Sequence, residues 1–140
     1  MKNLMIAALI IVAAACSPSK KGEATQEETQ KPDLNSQVMA VHDEVMPKMG
    51  DLRAVQKKLS AMADSMSMDS VSAASYRDLA ARVAAANESM MDWMRNFNRD
   101  FQGTDEEVRA YLEGELKKIK KVREEMLGSL KDGQKALGEE

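Results

Sequence analysis

The sequence is short of the residues that most often carry chemistry or staple small folds: one cysteine, one histidine, three prolines, and aromatics at only 4% of 140 residues. A lone cysteine excludes an intrachain disulfide, so the fold has to stand without a covalent cross-link. A lone histidine leaves no Ser–His or Cys–His nucleophile pair beyond His42 itself. No glycine-rich phosphate loop and no dinucleotide fingerprint occurs, and no segment alternates in the way a half-buried strand would. The carboxylates are plentiful but fall on helix faces that read as solvated, so an enzyme is not expected. The core has to come from Leu, Val, Ala and twelve methionines, and is thin.

What is present is clearest at the N-terminus. Lys2 precedes an uninterrupted apolar run, Leu4 to Ala15, the layout of a secretory signal. Twelve residues are too few for a spanning helix, which needs about 20. The run ends in Ala13-Ala14-Ala15-Cys16-Ser17, which resembles the bacterial lipobox, although a lipobox usually has Leu where this chain has Ala13. The expectation is cleavage of residues 1–15 and lipid attachment at Cys16; the plainer alternative is ordinary cleavage that leaves a stray thiol. Removal of Lys2 with the leader leaves 19 basic against 23 acidic residues, a balance of −4. Compartment and charge both speak against a nucleic-acid partner.

Residues 16–35 read as the lipidated cysteine and a flexible tether, because Ser17 to Asn35 has two prolines and one large apolar residue, Leu34. One helical domain follows over 36–137. Asn35 or Ser36 is expected to cap the first helix. Its apolar positions, 38, 41, 45, 49, 52, 55, 59 and 62, repeat at three and four. Pro47 interrupts the ladder, and a kink is expected because the pattern resumes in register. After a turn at Asp64–Ser70, with Asp69 or Ser70 as cap, Tyr76, Leu79, Val83, Ala86, Met90, Trp93 and Phe97 form a second stripe. Thr104-Asp105-Glu106-Glu107 is a capping box. The third stripe is Val108, Leu112, Leu116, Ile119, Val122, Met126 and Leu130, with an i,i+4 ion pair expected at Glu113–Lys117. Gly128 and Gly133 are expected to weaken its far end. Three helices with short connections predict an all-α, antiparallel three-helix up-down bundle.

Met39, His42, Met46 and Met49 are spaced three, four and three and so share one helical face. If the first two helices fold back about a turn near residue 67, position 42 falls opposite about 92 and 39 opposite about 95. Met90, Met91 and Met94 around Trp93 then meet the first group. Thioether and imidazole together select Cu(I), which makes Met39, His42, Met46, Met49, Met90 and Met94 a candidate metal set. Methionine is also a pliable apolar filler, and that reading ranks first. Met91, Trp93 and Phe97 are candidates for a partner-docking surface. The basic run Lys117 to Arg123 could face anionic lipid or an acidic partner, but Glu113, Glu115, Glu124 and Glu125 flank it, as on a solvated helix face.

The lipobox, the HDEVMPKM and MMDWMRNF segments and the capped C-terminal helix together resemble a family of small bacterial envelope lipoproteins, some labelled viral A-type inclusion proteins. The resemblance implies a periplasm-facing helical lipoprotein and supplies no catalytic residues. The expectation is a non-enzymatic, lipid-anchored interaction or structural module. It would hold the bilayer through acylated Cys16, engage an envelope protein, and be able to self-associate because small bundles are marginal alone. The alternative is a periplasmic Cu(I) carrier.

Overall fold

The computed structural model describes residues 33–66 and 71–139. The leader 1–15, Cys16, most of the tether and the caps at Asp69 and Ser70 lie outside the described residues. Within them the regular structure is entirely helical: α1 (Leu34–Val45), α2 (Lys48–Ser65), α3 (Val71–Asn96) and α4 (Asp105–Leu137).

α1 begins earlier than the sequence suggested. Asp33, rather than Asn35 or Ser36, is the cap: its carboxylate accepts the Ser36 N–H at 2.9 Å and the Ser36 hydroxyl at 2.8 Å. A charged cap also meets the positive end of the helix dipole, and these bonds hold the Asp33 carboxyl below its usual range. Leu34 and Asn35 therefore belong to the bundle, both half-buried.

α1 and α2 are two arms of one bent rod. Pro47 has no N–H to offer the Asp43 carbonyl, so the ladder skips a rung. The Met46 N–H still reaches the His42 carbonyl at 2.8 Å, and the Met49 N–H takes the Met46 carbonyl at 3.2 Å. Met46 (φ −52°, ψ −42°) and Pro47 (φ −61°, ψ −26°) stay right-handed helical. Helical phase therefore carries across the bend, and Val38, Val45, Met49, Leu52, Val55 and Leu59 form one buried stripe. At its end the expected Met62 is 38% exposed and Ala63 is fully buried instead. The two flank the stripe, and the smaller one goes inward where α3 starts with the equally buried Ala73.

α3 buries Val83, Ala86, Met90 and Trp93 of the expected stripe and Ala80 beside it, while Tyr76, Leu79 and Phe97 are half-buried. On α4 the capping box forms: Thr104 N–H to Glu107 Oε2 at 2.8 Å, and Glu107 N–H to Thr104 Oγ1 at 3.3 Å. Ile119, Val122, Met126 and Leu130 point inward. The far end of α4 stays helical through Gly128 and Gly133. It runs to Leu137, and Gly138 closes it in the left-handed region (φ 70°), where its N–H and that of Glu139 satisfy the Lys135 and Gln134 carbonyls. Gly133 is buried because α2 comes close: a Cβ there would lie 2.5 Å from Val55 Cγ1.

α2 packs on both α3 and α4, α3 packs on α4, and α1 lies chiefly on α4. Polar ties mark the registers. Arg123 donates to both oxygens of Glu44 at 2.9 and 2.7 Å, and Lys58 donates to Glu139 at 2.6 Å. The Tyr76 hydroxyl donates to the Ala136 carbonyl at 3.2 Å. Such exposed ion pairs add little stability; the packed stripes hold the bundle together. No helix of the described residues is long and apolar enough to cross a membrane.

Candidate functional site

Chemistry-bearing side chains gather at one end of the bundle, where the last turn of α1, the end of α3 and the first turns of α4 come together. The His42 ring lies 5.7 Å from that of Trp93, next to the position expected opposite it. From there a stack runs through Phe97 (4.8 Å from Trp93) and Tyr111 (6.3 Å from Phe97) to Phe101 (4.3 Å from Tyr111). Four of the five aromatic residues thus sit in one column, with Tyr111 accepting the Asn98 N–H at 2.8 Å. The column closes the 97–104 turn between α3 and α4.

A buried carboxylate holds Trp93 in place. Glu115, 4% exposed, accepts the Trp93 indole N–H at 2.9 Å through one oxygen and Lys118 at 2.8 Å through the other. Glu115 raises the proton affinity of the Lys118 amine above its usual range. Sequence reading placed Glu115 on a solvated face. Two signals pointed inward: 115 lies three past Leu112 and four before Ile119, and a buried indole N–H needs an acceptor. The ion pair expected at Glu113–Lys117 is not formed within 4 Å.

His42 is only partly buried, its side chain 16% exposed, with Nδ1 2.8 Å from Asp43 Oδ1. An ionised carboxylate only accepts, so Nδ1 carries the proton, and in the neutral ring Nε2 is then the nitrogen that bears the lone pair. The candidate methionines separate by burial. Met49 and Met90, at 4% and 0% exposure, are core residues rather than members of an accessible metal set. Met39 and Met94 are half-buried, and Met46 is 42% exposed. The docking trio also divides. Trp93 is buried and Phe97 is half-buried inside the stack, leaving Met91 alone at the surface. Met49, Met90 and Trp93 belong to the apolar stripes and go inward with them, whereas Met46 and Met91 lie beside a stripe and meet water. Among the described residues no three His, Asp or Glu side chains converge as a harder metal site.

Three of the five cations in the basic run form ion pairs, two of them with its flanking acids. Lys118 pairs with Glu115, Lys121 with Glu125 at 3.7 Å, and Arg123 with Glu44. The Arg123 guanidinium holds the Glu44 carboxyl below its usual range. On the same flank two open grooves, of about 470 and 450 Å³, run between α3 and α4 and share Ser89 and Glu125. Ala85, Gly128 and Ser129 floor the first, with Arg82 and Asp132 facing across it at 3.5 Å. Cys16 lies outside the described residues.

Comparison with family models, curated proteins and solved structures finds no match to the chain.

Proposed function

We propose that the chain is a non-enzymatic, lipid-anchored module of the bacterial cell envelope, facing the periplasm, that presents a three-helix up-down bundle to a protein partner. One observation carries the reading: Ala13-Ala14-Ala15-Cys16-Ser17 follows the apolar leader, a polar spacer comes next, and a helical unit begins at Asp33. That order suits a protein held to a surface by its first mature residue. The up-down arrangement is supported by cross-helix pairs in which one number falls as the other rises: Tyr76 with Ala136, Arg82 with Asp132, and Trp93 with Glu115.

The open α3–α4 flank supports contact with a partner, either an envelope protein or a second copy. It offers small side chains with charges of both signs at its rim, a surface suited to contact rather than enclosure of a substrate.

Fractionation of cells tests the anchor. The protein is expected in the membrane pellet, resistant to a high-salt wash, and Cys16→Ala is expected to release it. A wild-type protein found in the soluble fraction would refute anchoring. A photo-crosslinker placed at Ala85 should then trap a discrete envelope partner, whereas the same label at Lys57 on α2 should not.

A further inference from the structure

We propose that Met39, His42, Met46 and Met94 form a binding site for Cu(I) at the bend between α1 and α2. The proposal is independent of the lipid anchor. It rests on three things the fold brings together.

The first is an oriented imidazole. Asp43 holds Nδ1 of His42 at 2.8 Å and so leaves Nε2 as the free donor. A carboxylate on one ring nitrogen is the usual companion of a histidine that ligates through the other. The 16% exposure of the side chain gives that nitrogen a route to solvent.

The second is thioether placement. Met39 and Met46 stand three before and four after His42, one turn to either side on the same helical face. This relation holds at Met46 because its backbone stays right-handed helical although α1 ends at Val45. Met46 is a large apolar side chain left 42% in water. Met94 comes from α3, one residue past the Trp93 that His42 faces, and is half-buried against the edge of the core. Met49 and Met90, in the core, are excluded.

The third is the bend itself. α1 lies chiefly on α4 while α2 packs on both α3 and α4, so the bend changes which neighbours the rod faces. Methionine is long and adaptable and can reposition its sulfur at little cost. Three neutral thioethers and one neutral imidazole carry no charge, a set that favours the soft, singly charged Cu(I) over Zn(II) or Mg(II). The face of Trp93 closes one side and attracts a cation.

The experiment is an anaerobic competition of the purified protein with bicinchoninate for Cu(I), read by loss of the chelator complex and by quenching of Trp93, the only tryptophan. The protein is expected to withdraw a single Cu(I). His42→Ala and Met46→Leu should each weaken binding by about tenfold or more. Met46 is exposed, so Met46→Leu leaves the fold intact and isolates the thioether. Met62→Leu removes a similarly exposed methionine on α2 and should change nothing. Failure to withdraw Cu(I), an unchanged affinity in either site variant, or an equal loss in Met62→Leu would overturn the site and leave the methionines as packing.

Discussion

Gly133→Ala sets two physical effects against each other at one position. Gly133 lies inside α4, where alanine is worth about 1 kcal/mol in helix propensity. An added Cβ, however, meets Val55 Cγ1 at 2.5 Å, Leu59 Cδ1 at 3.4 Å and Val83 Cγ2 at 3.5 Å, so α2 and α3 both crowd it. Val55 cannot swing clear, because a β-branched side chain has few rotamers and this one is 3% exposed. Overpacking of this kind costs about 1–3 kcal/mol. The expected net for Gly133→Ala is a loss of about 0–2 kcal/mol. Gly128→Ala provides the control: nothing lies within 4 Å of its Cβ, so the propensity gain of about 1 kcal/mol should appear in full. Urea and thermal unfolding followed by far-UV circular dichroism measure the difference, with about 4–8 °C in Tm per kcal/mol in a domain of this size. Val55→Ala should partly rescue Gly133→Ala, with a coupling of about 0.5–3 kcal/mol between the two sites. If Gly133→Ala stabilises as much as Gly128→Ala, α4 does not approach α2 this closely and the packing described above is wrong.

Four further outcomes are expected. Glu115→Leu leaves the buried Trp93 N–H without an acceptor and should cost about 1–3 kcal/mol in urea unfolding, whereas Glu115→Gln keeps an acceptor and should lose less; equal losses would show that the bond is incidental. Thr104→Ala should cost about 1 kcal/mol through the α4 cap. The capping carboxyls of Glu107, bonded to Thr104, and Asp33, bonded to Ser36, sit below their ordinary ranges in the fold. Their contribution is therefore complete above the ordinary carboxylate range and is lost as pH falls through the lowered folded values. The wild type should accordingly lose more stability on acidification to about pH 3 than Glu107→Gln does. Glu44→Gln removes the charge and one of the two oxygens that accept from Arg123 between α1 and α4, and should speed amide exchange several-fold in 34–45 while leaving 48–65 unchanged; uniform exchange would mean that α1 does not open separately.

The parts of the molecule legible in the sequence are those decided within a few turns of chain. The Thr104–Glu107 box, the bend at Pro47 and the inward positions of α3 each depend on residues no more than a few places apart. The opposition of His42 to the Trp93 region followed from one assumption, that adjacent rods fold back on each other. Asp33 was passed over as a cap because the tether composition drew the boundary too late. Glu115 was assigned to solvent because charge outweighed its place in the stripe.

By itself, the sequence determined that the chain is helical, which face of each helix is apolar, where α4 is capped and where the first rod bends, because hydrogen bonding and periodicity are local. Only the tertiary structure decided that Ala63 goes in while Met62 stays out, that Gly133 is a point of contact, and that Trp93 is held by a carboxylate. Each of these turns on the separation of two helices, which is set by the bulk of side chains on a neighbour far away in sequence and is absent from any local window.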